Sequence, residues 1–130
     1  MAVPTGKARV LIVDDERIVA ETLAIIFTNA GYETRAVESA EAALELLETE
    51  RWVPQWAIID VHLPGRNGID LAIALKAKYP EVSVSLFSGR EATANLVEEA
   101  RQQGHSFDVI AKPVHPAILL EMASSLQGGL

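Results

Sequence analysis

The pattern of hydrophobic and polar positions alternates along the chain between two kinds of segment. Short continuous apolar runs, such as residues 10–13 and 57–59, have the character of strands buried on both faces of a parallel sheet. Strands that alternate with helical patterns indicate βαβ units and an α/β fold. We predict strands at about 9–13, 32–37, 56–60, 82–87 and 108–111, and helices at about 16–30, 39–47, from the loop around Gly68 to 79, 91–103 and 116–126.

Several residues that start or stop helices support these boundaries. Ser39 is a typical N-cap, and Glu41 in the following turn complements the helix dipole. Gly31 and Gly104 each follow a helical pattern and are expected to end it, as Pro80 is expected to do for the third helix. The closing residues 127–130 carry no structural signal, so we expect a frayed end or the beginning of a linker.

Acidic residues stand where two of the apolar runs stop. Asp14 and Asp15 follow the first predicted strand, and Asp60 ends the third. If these strands are parallel neighbours, the three carboxylates meet at the carboxyl edge of the sheet, where open α/β sheets bind ligands. Clustered carboxylates repel one another in a partly dry crevice unless a cation lies between them. We therefore predict a site for Mg²⁺, which prefers oxygen ligands.

Length, composition and charge narrow the possible functions. A chain of 130 residues with 49% hydrophobic residues fits a single domain over 1–130, with its core at about 9–126. The net charge of −7 argues against direct nucleic-acid binding, which needs clustered basic residues. The chain has no cysteine, no run long enough for membrane insertion and no secretory signal pattern, so we expect a cytoplasmic protein.

Four of the five predicted strands end in residues that could act together on a phosphoryl group. They are Asp14 with Asp15, then Asp60, Ser88 and Lys112. Asp60 is the best nucleophile because it ends a central apolar strand ahead of a glycine-containing loop. Lys112 offers a positive charge to a phosphoryl oxygen, and the Ser88 hydroxyl and Gly89 N–H offer hydrogen bonds. Such positioning and charge neutralisation account for most of the catalysis of phosphoryl transfer.

Together these motifs resemble the receiver domain of bacterial two-component response regulators, over about residues 9–126. The resemblance rests on VLIVDDE, IIDVHLPGRNG, LFSGR and AKP. It implies a flavodoxin-like fold with strand order 2-1-3-4-5 and Mg²⁺-dependent transfer to Asp60 from a phosphohistidine of a histidine kinase or phosphotransfer protein. It also implies self-catalysed hydrolysis without other enzyme activity, the His62 carbonyl as a metal ligand, and a cis peptide bond between Lys112 and Pro113.

Two departures from the family pattern concern the conformational switch. Val109 stands where family members usually carry an aromatic residue three positions before the lysine, and the segment 104–112 is one residue longer. A β-branched side chain cannot alternate between solvent and interior as that ring does. We therefore predict that Ser88 and the loop 89–93 move and bias the helix 91–103, while the last strand responds little. Phe107 has the right strand parity but lies too near the start of the strand to replace the ring.

The leading prediction is a chemotaxis-type receiver without its own output domain, which controls an unknown downstream protein. An aspartyl phosphatase usually needs a second acid two residues after the nucleophile, where this chain has His62. A flavodoxin-type cofactor binder should have a Ser/Thr/Gly-rich phosphate loop after the first strand, where the acidic pair would repel a phosphate. A constitutive interaction module with little or no phosphorylation is the remaining alternative. In the leading prediction, His62 and Arg90 would flank the path of the water that attacks the phosphorylated Asp60.

Overall fold

The computed structural model describes residues 8–65, 67–89, 93–112 and 114–128, which form a five-stranded parallel sheet with helices on both faces. The strand order is β2-β1-β3-β4-β5. Each apolar run forms its strand within a residue or so of the predicted limits, so both the α/β class and the order 2-1-3-4-5 are confirmed. The strands are β1 (Arg9–Val13), β2 (Glu33–Val37), β3 (Trp56–Asp60), β4 (Ser83–Ser88) and β5 (Asp108–Ala111).

Within the same described ranges, five helices alternate with the strands, and the second and the last each end two residues later than their patterns predict. The final helix continues to Gly128, so the expectation that residues 127 and 128 lack regular structure was wrong. Residues 117–127 include no glycine or proline that would stop the helix earlier, and one or two further residues can join a helix end at little free-energy cost. The helices are α1 (Arg17–Asn29), α2 (Ala40–Thr49), α3 (Gly68–Lys78), α4 (Thr93–Gln102) and α5 (Pro116–Gly128).

The residues predicted to start and stop the first helices do so. The Ser39 hydroxyl accepts a hydrogen bond of 3.1 Å from the Ala42 N–H and caps α2. Gly31 follows α1 with φ of +100°, a conformation that glycine adopts without the steric penalty of a Cβ. These local signals determine where α1 ends and where α2 begins.

The sheet separates two hydrophobic layers. On one face, Leu11, Val13 and Ile59 pack with the buried sides of α2, α3 and α4. On the other face, Ile12 and Ile58 pack with the buried residues of α1 and α5. The central strand β3 is buried along its whole length, whereas the edge strands β2 and β5 carry exposed residues. A polar residue at the end of β3 is therefore surrounded on both sides by neighbouring strands and their loops.

None of the helices in the described ranges is both long enough and apolar enough to cross a membrane.

Candidate functional site

The parallel register brings the chemically capable strand ends together. β1 lies beside β3 with Val13 opposite Ile59, so the residues that follow at Asp14 and Asp60 are neighbours. β4 lies on the other side of β3, and the Lys112 N–H donates to the Ser88 carbonyl oxygen at 2.8 Å. All the residues that the sequence places at strand ends thus share the carboxyl edge of the sheet, as predicted.

The three aspartates form a compact group of oxygen ligands. One carboxylate oxygen from each of Asp14, Asp15 and Asp60 lies within 4.8 Å of the others. Asp14 is 1% exposed and Asp60 is 5% exposed, whereas Asp15 faces solvent. Oxygen ligands at this spacing suit a hard divalent cation, and the exposed Asp15 leaves room for the water that Mg²⁺ usually retains.

A lysine ammonium lies between two of these carboxylates. The Lys112 Nζ is 2.8 Å from Asp60 Oδ2 and 3.0 Å from Asp14 Oδ2. It is also 4.9 Å from the centre of the Phe87 ring, close enough for a cation–π contact. Lys112 therefore supplies part of the compensating charge that the sequence-based argument assigned to a bound metal ion alone.

Backbone donors hold the remaining oxygens of the two buried carboxylates. Asp14 Oδ1 accepts a hydrogen bond of 2.9 Å from the Glu16 N–H, and Asp60 Oδ1 accepts one of 2.9 Å from the His62 N–H. Each buried carboxylate therefore has a backbone donor on one oxygen and the Lys112 ammonium on the other. Two fixed partners leave each side chain a single orientation, which is the preorganisation that a nucleophile or metal ligand needs.

Burial and charge shift the proton affinities of the central groups. Burial raises the pKa of Asp14 above its ordinary value, although hydrogen bonds from Glu16 and Lys112 oppose the shift. Burial alone would lower the pKa of the Lys112 ammonium, but its hydrogen bonds to Asp60 and Asp14 outweigh that effect and raise it. Lys112 is therefore positively charged throughout the physiological pH range.

The loop after β3 folds back tightly over the Asp60 backbone. The Gly68 N–H donates to the Val61 carbonyl oxygen at 2.8 Å, and the Val61 N–H donates to the Phe87 carbonyl oxygen at 3.1 Å. A Cβ at Gly68 would lie 1.9 Å from the backbone oxygen of Asp60, so only glycine fits there. Gly68 therefore packs against the Asp60 backbone, a role that its place in a glycine-containing loop did not predict.

A cleft of about 290 Å³ opens above these residues, and this is where a phosphoryl group could enter. Ser88 lies buried at the end of β4 beside it. The residues that line the cleft are Asp15, Glu16, Asp60, His62, Gly89 and Lys112.

Comparison with known families decides what this arrangement is. The response regulator receiver domain family matches residues 10–124, which is most of the chain. The chain belongs to that family. Receiver domains are generally signalling modules and not enzymes, and the group of Asp14, Asp15 and Asp60 is typical of their Mg²⁺ site.

Curated relatives place the receiver within longer proteins. The chain is 35% identical over 117 residues to the response regulator protein FleR of Pseudomonas aeruginosa, covering 90% of this chain and 24% of that protein. It is 30% identical over 116 residues to the DNA-binding response regulator MtrA of Mycobacterium tuberculosis, covering 89% of this chain and 49% of that protein. The chain thus spans about a quarter of one of these relatives and about half of the other.

Solved receiver structures share the fold over nearly the whole chain. A CheY-like receiver domain protein from Methanospirillum hungatei superposes with a TM-score of 0.82 at 25% identity, covering 95% of this chain and 96% of that one. The receiver domain of NtrX from Brucella abortus gives a TM-score of 0.76 at 28% identity, covering 90% and 96%.

Some predicted site residues lie away from the cleft or outside the described ranges. Val109 is 48% exposed on β5, opposite Leu86, while Phe107 is half-buried against the hydrophobic layer that contains Leu11 and Ile59. Arg90 and Pro113 lie outside the described residues, and so does the peptide bond predicted to be cis. The role of the His62 carbonyl as a metal ligand stays a prediction.

Sequence reasoning missed two residues of this receiver's site. Glu16 lines the cleft, with Oε1 at 3.4 Å from the Lys112 Nζ, and Phe87 lies beneath the same ammonium. Glu16 directly continues the acidic pair, so its position was a usable signal. Phe87 precedes Ser88 in an apolar strand, and nothing in that pattern distinguishes it from an ordinary core residue.

Proposed function

We propose that this receiver is the phosphoryl-accepting module of a two-component phosphorelay. Asp60 takes a phosphoryl group from a phosphohistidine of a histidine kinase or phosphotransfer protein. The observation that carries this proposal is the pairing of the buried Asp60 carboxylate with the Lys112 ammonium at 2.8 Å, beside two further aspartates. A positive group that already contacts Asp60 can stabilise the negative charge on an incoming phosphoryl group.

Asp14, Asp15, Asp60 and the His62 carbonyl are the residues that would hold Mg²⁺. The compact group of carboxylate oxygens supports this assignment, because Mg²⁺ is usually bound by one or two carboxylates with water and phosphate oxygens. When bound, the ion would neutralise negative charge on the transferring group.

The remaining chemistry falls to this chain's own groups. A carboxylate oxygen of Asp60 attacks phosphorus while the phosphorus–nitrogen bond of the donor breaks, which yields an acyl phosphate and a free histidine. The His62 N–H holds the carboxylate in position for the attack. The Lys112 ammonium, the Ser88 hydroxyl and the Gly89 N–H then contact phosphoryl oxygens. Later attack by water at phosphorus returns Asp60 to its carboxylate form.

The output is a change in the surface around α4. Ser88 lies at the end of β4, and the loop 89–93 connects it to α4, although residues 90–92 are outside the described ranges. The exposed Val109 supports a switch led by this loop, because its short side chain has no aromatic ring to turn inward. Movement of α4 would alter the affinity for a downstream protein, and family membership supports the cytoplasm as the location.

Mass spectrometry tests the proposal directly. With Mg²⁺ and acetyl phosphate, the parent protein should gain one phosphoryl group, and peptide mapping should locate it on Asp60. Asp60→Asn should gain none, whereas Asp70→Asn, which changes an exposed aspartate on α3, should behave like the parent. Phosphorylation that persists at parental stoichiometry in Asp60→Asn would contradict the proposal. A parent that accepts no phosphoryl group would favour a constitutive interaction module.

A further inference from the structure

The Lys112 ammonium has its full set of hydrogen-bond partners before any phosphoryl group arrives. An ammonium carries three N–H donors. Three carboxylates surround this one, with Asp60 Oδ2 at 2.8 Å, Asp14 Oδ2 at 3.0 Å and Glu16 Oε1 at 3.4 Å. While Asp60 is still a free carboxylate, as the phosphoryl group enters the cleft, a phosphoryl oxygen can therefore accept a hydrogen bond from Lys112 only if one of these carboxylates gives up its own.

The three contacts differ in how easily they can be broken. Asp14 and Asp60 are buried, and backbone N–H groups hold their other oxygens. Breaking a buried ion pair leaves an uncompensated charge and is strongly unfavourable. The Glu16 side chain is 63% exposed and makes the longest of the three contacts. An exposed ion pair contributes little, because water readily solvates the released carboxylate.

We infer that Glu16 is a positioning residue that acts as the displaceable third partner of Lys112. It directs one ammonium N–H toward the mouth of the cleft, and the incoming phosphoryl oxygen takes its place on that N–H. This inference rests on the proposed function, since it needs a phosphoryl group to enter the cleft. Glu16 also lines that cleft, so its negative charge opposes the approach of an anionic group until the contact with Lys112 is exchanged.

Binding of beryllofluoride with Mg²⁺, followed by NMR, tests the exchange without turnover. Glu16→Gln should bind this phosphoryl analogue about two- to five-fold more tightly than the parent, because an exposed ion pair no longer has to be broken. The control is Glu38→Gln, which removes the same charge from an exposed residue at the same sheet edge, outside the described cleft lining. Equal affinities in Glu16→Gln, Glu38→Gln and the parent would overturn the inference.

A shorter acid separates the contact from the charge. Glu16→Asp keeps the negative charge but loses one methylene, so it should no longer reach Lys112 at 3.4 Å and should bind the analogue more tightly than the parent does. Parental affinity in Glu16→Asp would show that only the charge matters and would overturn the displaceable-partner role. The Glu16 N–H bond to Asp14 belongs to the backbone and is kept in every variant.

Two further readouts distinguish positioning from a structural effect. With acetyl phosphate, Glu16→Gln should lower KM by a similar factor and leave kcat within about two-fold, because only entry of the group is eased. In metal-free protein, the Lys112 ammonium protons should exchange faster with water in Glu16→Gln than in Glu38→Gln. A lower kcat with unchanged KM would overturn the inference, while failure of the parent to bind beryllofluoride would instead contradict the proposed function.

Discussion

Two clusters of charged side chains lie at opposite ends of the sheet, and in each a cation contacts an aromatic ring. The amino-end cluster consists of Arg9, Glu33, Arg35, Glu50 and Trp52. Its arginines pair with its glutamates at 3.2 and 3.9 Å, and both guanidinium groups lie within 5.7 Å of the centre of the Trp52 ring. The Trp52 indole N–H donates to Glu33. Two positive charges therefore balance two negative charges.

The carboxyl-end cluster consists of Asp14, Asp15, Glu16, Asp60 and Lys112. The cluster contains four carboxylates and one ammonium, and two of those carboxylates are buried. The charges of the amino-end cluster sum to zero and its side chains are partly solvated, so this cluster needs no additional ion. The carboxyl-end cluster holds an excess of buried negative charge, which the fold tolerates at a cost in stability. An excess of buried charge of one sign, and not the number of charged residues, therefore distinguishes a binding site from a structural ion-pair network.

The largest expected effect follows from removing the one cation of the carboxyl-end cluster. Lys112→Ala should destabilise the metal-free protein by about 3 kcal/mol, because it leaves buried carboxylates without their partner. Phosphoryl transfer from acetyl phosphate should fall roughly 100-fold, since a contact to the transferring group is lost. Urea unfolding with EDTA and the rate of phosphorylation measure the two effects.

The matched change at the amino end is Arg35→Ala. It should cost less than about 1 kcal/mol, because its partner Glu50 is exposed and can be solvated. Adding Mg²⁺ should restore much of the stability of Lys112→Ala and none of that of Arg35→Ala, since a bound cation supplies the missing charge. Equal losses in the two variants would contradict the contrast between the clusters.

The second prediction tests how far the carboxyl end depends on its tight backbone contact. Gly68→Ala would place a Cβ against the Asp60 carbonyl oxygen and should destabilise the protein by about 2 kcal/mol, with slower phosphorylation. Gly89→Ala is the control, because its Cβ would meet only Lys112, at 3.4 Å from that side chain's Cβ. Thermal unfolding of both variants measures the difference, and similar losses of stability would argue against the packing role of Gly68.

The third prediction is that neutralising one acidic residue in each cluster changes the stability of the protein in opposite directions. Asp14→Asn should stabilise the metal-free protein by about 1 kcal/mol, because it removes a buried charge while its amide oxygen can still accept from Lys112, and this gain outweighs the loss of the hydrogen bond from the Glu16 N–H. Glu33→Gln should destabilise it by about 0.5 kcal/mol, because it breaks a balanced, partly exposed pair with Arg9. Urea titrations in EDTA measure both, and changes of the same sign would remove the distinction. Mg²⁺ should stabilise Glu33→Gln but not Asp14→Asn.

The smallest expected effect is the pH dependence of the difference in stability between the parent and Asp14→Asn. Because the pKa of Asp14 is raised in the folded protein, the folded state takes up this proton at higher pH than the unfolded chain does. The parent therefore gains stability relative to Asp14→Asn as the pH falls through the raised pKa, and the gain is complete below the ordinary aspartate value of 3.8. Urea midpoints of both proteins across this range should converge on acidification. A constant gap would show that Asp14 does not titrate there.

Strands and strand ends could be predicted because their signals are local. The run before Asp60 is apolar at every position, which suits only a strand buried on both faces, and the chemical residues follow such runs directly. Parallel pairing then places Asp14, Ser88 and Lys112 at the same edge, whatever the details of packing. The end of α5 could not be placed correctly, because helix extension through residues 127 and 128 depends on small free-energy differences that have no strong sequence signal.

The α/β class and the residues that gather at the carboxyl edge follow from the sequence pattern, and the strand order follows from the family resemblance. How those residues pair depends on the folded arrangement of the whole chain. Lys112 lies 98 positions from Asp14 and 52 from Asp60, and its flexible side chain contacts both only because the register of β1, β3, β4 and β5 brings them within reach. The same holds for Glu16 at the cleft and for Gly68 against the Asp60 carbonyl oxygen. Periodicity determines which residues reach an edge, but distances of about 3 Å depend on the packing of the whole chain.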